Sequence, residues 1–212
     1  AQDIVIIATG PSLNKYKPIE NTINIGVNKA IFYEKAKLNY YFAVDYAVTK
    51  LYLKDLIKYK NIKKFYGVLP RTCYGDKFAV NKNIIPESII IEQNASKMFI
   101  YKTKPELPIS FNVDIDKTWL ADGDSCIFPA IQFALFTNPR KIYLVGCDCT
   151  IGHFDEQNLV IKPNKPLVKT WKELKKFRDI YYPETEIISV NPVGLKGLFT
   201  DLYQDEEAAL EY

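Results

Sequence analysis

The sequence holds a single histidine, His153, and only four cysteines, Cys73, Cys126, Cys147 and Cys149. One histidine makes a histidine-based metal cluster improbable, and no Ser-His-Asp arrangement can be assigned from spacing. Structural zinc sites on cysteine need two pairs at C-x2-4-C spacing. Here there is one pair, Cys147 and Cys149, and it is one residue too short. No signal peptide is visible, and a chain of 212 residues can build a core without disulfide staples. The thiols are therefore expected to be reduced and mainly to serve packing. No apolar run approaches the roughly 18 residues of a membrane span. A cytoplasmic location is the expectation, with peripheral association at the inner face of the membrane left open. Excess charge is also lacking: 28 Lys and Arg face 25 Asp and Glu, a formal +3. That is too mild to argue for nucleic acid, and no basic motif interleaved with aromatics appears.

The residues present are those of a globular chain, 48% of them apolar. Ile4 to Ile7 is a continuous β-branched run, as expected of a strand buried on both faces. Further strands are expected at 22–27, 40–44, 64–69, 88–92, 141–145 and 186–190. Helical patterns fall at 28–35, 47–59, 124–136 and 165–182, the last stopped by Pro183. The stretch 95–120 holds Pro105 and Pro108 and has no clear period, which reads as a lid or insertion. Strands alternating with helices imply a Rossmann-like α/β fold with a mostly parallel sheet of about seven strands. No repeat or linker divides the chain, so residues 1–212 are expected to form a single domain.

In such a sheet, ligands bind beyond the carboxyl ends of the strands. The polar residues and glycines collected there are the candidate site. Thr9, Gly10, Pro11 and Ser12 follow the first strand; the glycine admits close approach, and the next helix start offers N–H groups suited to phosphate. This is neither a Walker loop, since no Gly-Lys-Ser/Thr follows, nor the three-glycine dinucleotide fingerprint. Asn28 and Asp45 end the second and third strands. Asp122, Gly123, Asp124 and Ser125 precede the helix at 124–136 and could hold a phosphate, a ribose or a metal. Asp148 ends the strand at 141–145, and His153 follows it closely. Its neutral imidazole suits a general base near neutral pH.

Several blocks resemble the bacterial sialyltransferases that modify lipooligosaccharide. Ile6-Ile7-Ala8-Thr9-Gly10-Pro11-Ser12-Leu13 is similar to their Gly-x-Gly-Pro-Ser-Leu opening. The segment Val27 to Tyr33 resembles their Cys-Asn-Gln-Phe. Asp122 to Ser125, the helix that follows and Lys141 to Asp148 resemble their Thr-Ser-Gly, helix and Glu-Ile-Tyr-Leu-Ser-Gly-Ile-Asp. Ile151-Gly152-His153 matches the Ile-Gly-His that carries their catalytic base, and Asn191-Pro192 resembles their Pro-Asn. Thr9 stands where that family has asparagine. Cys149 and Thr150 stand where it has phosphate-contacting tyrosines. The opening and the strand-Gly-x-Asp block also look like the wider group of motility accessory factors and pterin diphosphokinases.

The sialyltransferase resemblance implies a CMP-linked sugar donor, a glycan acceptor, inversion and no required metal. It places the nucleotide at Gly10 to Ser12 and Asn28, ribose and phosphate near Asp122 to Ser125, and the base at His153. Two other readings stay open. One is a diphosphokinase-like phosphoryl transferase with Mg²⁺ near Asp45, Asp124 or Asp148. The other is a non-catalytic nucleotide- or sugar-binding relative. The acceptor and the oligomeric state are not encoded legibly.

Overall fold

In the computed structural model, the described residues are 2–68, 72–74, 77–79, 85–101, 109–156 and 162–204. Thirteen strands occur among them. They are β1 (Ile4–Ile7), β2 (Ile23–Val27), β3 (Tyr40–Ala43), β4 (Lys63–Val68), β5 (Thr72–Tyr74), β6 (Lys77–Ala79), β7 (Ser96–Tyr101), β8 (Leu120–Ala121), β9 (Lys141–Val145), β10 (Thr150–Ile151), β11 (Lys162–Pro163), β12 (Glu186–Val190) and β13 (Thr200–Leu202). Nine of them form one sheet in the order β13-β12-β9-β1-β2-β3-β4-β7-β8. Every pairing in that sheet is parallel. The strands β5/β6 and β10/β11 make two small antiparallel pairs apart from it.

The chain starts in the middle of the sheet. From β1 it runs outward through β2, β3, β4, β7 and β8, then returns to lay β9 on the other side of β1 and continues to β12 and β13. The direction of winding therefore reverses between β1 and β9. In an open parallel sheet that switch point leaves a crevice at the carboxyl ends of the two strands.

The β1 run is buried at all four positions because both faces are covered. Ile4 and Ile6 belong to one apolar cluster, Val5 and Ile7 to the other. Helix α4 (Ile127–Phe136) packs in the first cluster and is apolar nearly all round, with eight of its ten residues buried. Its one deeply buried polar side chain, Gln132, is satisfied in full view of the sheet edge. It accepts from the Ala121 N–H and donates to the carbonyls of Ala121 and Phe128. Helix α5 (Lys165–Tyr181) is amphipathic; Thr170, Trp171, Leu174 and Phe177 form its buried stripe. Asn164 caps it by accepting the Leu167 N–H.

The structure departs from the expected elements in four places. Residues Glu87–Glu92 form helix α3, not a strand. Three consecutive isoleucines read as β, but Ile90 and Gln93 point inward while Ile91 is exposed, an i, i+3 spacing that only a helix gives. The missing strand is β7, with Met98 and Ile100 inward, inside the stretch where no period was apparent. Residues 102–108 of that stretch lie outside the described residues. The helix expected over 47–59 is broken into α1 (Tyr46–Thr49) and α2 (Leu53–Leu56). There the Thr49 hydroxyl and N–H both bond to the Asp45 carbonyl, and Tyr52 leaves the helical region. Residues Asn28–Phe32 form a 3-10 turn, and short β8 and β13 bring the strand number above seven.

The aromatic packing supplies a test of this arrangement. Phe42 is fully buried, stacked on Phe65 at 4.9 Å between ring centroids and tilted against Phe133 at 5.4 Å. Phe42→Ala is expected to cost about 3–5 kcal/mol in denaturant unfolding, whereas Ile91→Ala on the exposed face of α3 stays within about 0.5 kcal/mol. Equal costs would mean that the residues of α3 face the other way.

Candidate functional site

The backbones leaving β1 and β9 are locked together. The Ala8 N–H donates to the Val145 carbonyl at 2.8 Å and the Gly10 N–H to the Gly146 carbonyl at 2.9 Å. Gly146 has φ of 66°, and a Cβ on it would lie 2.8 Å from the Ala8 carbonyl oxygen. A Cβ on Gly10 would lie 2.6 Å from both Asp148 Cγ and the Gly146 oxygen. Both glycines are thus required by close approach of the two chains.

The contact that closes this junction is Asp148. Its carboxylate accepts the Ser12 N–H at 2.7 Å and also the Ser12 hydroxyl. Asp148 is only 3% exposed. Burial raises its pKa above the ordinary carboxylate value, and the two bonds from Ser12 partly oppose that rise. This assigns the turn a different task from the one its sequence suggests. The Gly10 N–H goes to Gly146, the Ser12 N–H to Asp148 and the Leu13 N–H to the Gly10 carbonyl; Pro11 has none. Those groups bind protein, so they form no ready phosphate cradle. Asp148 supplies the acceptor at the start of the helical turn.

Beside the junction lies a cleft of about 120 Å³. Of the candidate residues, Thr9, Gly10, Asn28, Ser125, Asp148 and His153 line it. Pro11, Ser12, Asp45, Asp122, Gly123 and Asp124 do not. Ser12 serves it indirectly through Asp148. Asp45 is exposed beyond β3 and Asp122 is buried. Both carboxylates add to a rise in the Cys126 pKa that is driven first by burial, so they lie in reach of that thiol. Gly123 and Asp124 take left-handed φ values of 57° and 61° and shape the approach to α4. Asn191 is occupied structurally, accepting the Gln204 N–H and donating to the Lys15 carbonyl. Among the described residues no three His, Cys, Asp or Glu side chains gather as a metal ligand set.

His153 is exposed at the cleft, and its Nδ1 is 2.9 Å from the Thr9 hydroxyl. The segment carrying it is fastened to the β1 turn. The Phe154 N–H donates to the Thr9 carbonyl at 2.9 Å, and Asn14 donates to the Phe154 carbonyl at 2.8 Å. Lys29 pairs with Asp155 at 3.1 Å. Two cleft residues, Asn28 and Cys149, sit at φ of 50° and 52°, a backbone state that costs energy outside glycine and clusters at ligand sites.

Cys147, Cys149, Thr150 and Trp171, which are not among the candidate site residues, also wall the cleft. Burial pushes the Cys149 thiol up to about 12, with the Asp148 charge adding to it, and raises Cys147 as well. Neither thiol is a thiolate near neutral pH, so neither is an activated nucleophile. Cys126, Cys147 and Cys149 are unpaired. Among the described residues, the Thr150 hydroxyl is buried without a hydrogen-bond partner. A larger concavity of about 1090 Å³ lies at the opposite end of the sheet, lined in part by the loops that enter β3 and β4. The smaller cleft is the better candidate because the switch point, the strained backbone and His153 meet there.

No sequence family and no curated protein matches the chain. Among solved structures, the chain is similar to the sialyltransferase CstII from Campylobacter jejuni, determined in complex with the substrate analogue CMP-3FNeuAc. The identity is 14% and the TM-score 0.50, over 95% of this chain and 85% of that one. The two share a fold: a Rossmann-like α/β arrangement with a mostly parallel sheet flanked by helices. No helix among the described residues is long and apolar enough to cross a membrane.

The junction yields two expectations. Gly10→Ala has no space for its methyl and is expected to destabilise the protein strongly. Asp148→Ala orphans both Ser12 donors, at about 1–3 kcal/mol each, while Asp148→Asn keeps one acceptor and costs less. Folding favours the neutral form of Asp148, since its pKa is raised. Its stabilisation is therefore complete in acid, below the unfolded value of about 3.9, and is lost as pH rises through the raised value. The melting temperature of wild type relative to Asp148→Asn should fall as pH rises from about 4 through the raised carboxyl value. A relative rise over that interval would show that the Ser12 bonds outweigh burial.

Proposed function

We propose that the protein is a glycosyltransferase that moves a sugar from a nucleotide-activated, CMP-linked donor to a hydroxyl of a glycan acceptor, with inversion and without a required metal. The observation that carries this reading is the place of His153. The only histidine of the chain stands at the switch-point cleft, hydrogen-bonded to the first turn, in a fold shared with a sialyltransferase solved with a CMP-sugar analogue.

In this mechanism His153 accepts the proton of the acceptor hydroxyl as its oxygen attacks the anomeric carbon. The bond from that carbon to the phosphate oxygen breaks, and the nucleotide monophosphate leaves. Asn28, Ser125 and Thr150 are polar residues of the cleft wall offered to the donor. The Gly10 turn holds the β1 and β9 ends at a fixed spacing and does not itself bind phosphate through its N–H groups. A second reading, a non-catalytic nucleotide- or sugar-binding relative, draws support from that same feature, since the turn's N–H groups are committed within the protein.

Donor binding and transfer separate the two. CMP at about 100 times its dissociation constant should stabilise the fold by about 2.7 kcal/mol in a thermal shift. His153→Ala should keep that shift and lose about 10²- to 10⁴-fold in transfer rate. Transfer undiminished in His153→Ala would remove the histidine from the mechanism. A shift with no turnover of any nucleotide sugar would favour the non-catalytic relative.

A further inference from the structure

The reading of His153 as a base leaves one question that the ring itself cannot answer: which nitrogen carries the proton. A neutral imidazole has a single N–H, and only the other nitrogen can accept a proton from a substrate. Thr9 Oγ1 lies 2.9 Å from Nδ1, and among the described residues it is the ring's hydrogen-bond partner. Nε2 is then the nitrogen available to a substrate. A threonine hydroxyl can either donate to Nδ1 or accept from it, and the two choices give opposite chemistry. Donation would place the proton on Nε2 and leave no base at the cleft. Acceptance fixes Nδ1–H and leaves the Nε2 lone pair open.

The partners are not two loose surface groups. Thr9 and Phe154 are tied by a backbone hydrogen bond, so the chain on either side of the contact is fixed. Asn14 holds the next carbonyl, and the Phe154 ring packs edge-on against Tyr33 at 5.9 Å. Lys29 pairs with Asp155 on the far side. The Thr9–His153 distance is thus set by the scaffold, which is what a group that orients another requires.

We propose that Thr9 is the positioning residue of His153: its hydroxyl accepts the Nδ1–H, holds the ring at the cleft and keeps Nε2 unprotonated. This rests on the reading of His153 as the base. It also gives Thr9 a role as a side chain, apart from the turn geometry around Gly10.

Because the chain has one histidine, uniform ¹⁵N labelling gives one pair of imidazole nitrogen signals, assigned without variants. In alkaline solution the wild-type spectrum should show Nδ1 protonated and Nε2 with the shift of an unprotonated nitrogen. Thr9→Val, close in shape, should move the tautomer ratio towards Nε2–H by roughly fivefold, the equilibrium factor of a hydrogen bond of ordinary net strength. Thr9→Ser should restore the wild-type ratio. A wild-type spectrum dominated by Nε2–H overturns the proposal, as does a ratio unchanged in Thr9→Val. The wild-type measurement decides even where a variant folds poorly. With a donor that turns over, Thr9→Val should lower kcat with little change in donor KM, and Thr9→Ser should recover it. Absence of turnover with every nucleotide sugar would defeat the transferase reading, while the tautomer measurement would still decide the role of Thr9.

Discussion

The Asp148 carboxylate, held by the N–H and hydroxyl of Ser12, is the contact on which the rest of this site depends. It joins the end of β9 to the start of the helical turn after β1 across a space in which Gly10 can have no side chain. A buried carboxylate is costly unless its lone pairs are met, and here both donors come from Ser12. The result is a fixed distance between the two strand ends where the winding of the sheet reverses. Residues of both strand ends line the cleft, and the segment with His153 is fastened to the turn after β1.

That arrangement separates two tasks that sequence patterns tend to merge. The Gly-Pro-Ser turn looks like a ligand loop, and its position at the switch point agrees with one. Its amide groups nevertheless serve the protein. The side chains that line the cleft around the turn include Asn28, Ser125, Thr150 and His153. A nucleotide bound here would meet hydroxyls, an amide and an imidazole rather than a nest of backbone amides.

Much of the fold could be read from the chain because burial on both faces leaves a plain signature. The run at β1 is apolar at every position, β9 and β12 are apolar at most of theirs, and α5 carries its stripe at helical spacing. The errors arose where a local pattern was ambiguous. Three isoleucines in α3 suggest a strand, but their burial follows a helical face once Gln93 is seen to accept from Tyr66. Strand β7 was hidden in a stretch rich in prolines and aromatics, although Met98 and Ile100 alternate inward. The site was legible as a set of strand-end residues, and half of that set does line the cleft. Cys149 and Trp171 were not legible, since nothing local marks an apolar or thiol side chain as a wall.

By itself, the sequence determined the layered α/β character, the central place of the Ile4–Ile7 run, and the rarity that singles out His153. Those properties are local: side-chain shape, apolar period and composition act over a few residues. Only the tertiary structure decided that Asp148 is an acceptor for Ser12, that Asp45 and Asp122 are not among the cleft's lining, and that Thr9 meets Nδ1 of His153. Each of these joins residues more than 70 positions apart or sets them on different strands. Such pairings are fixed by strand order and register, which no short stretch of sequence contains.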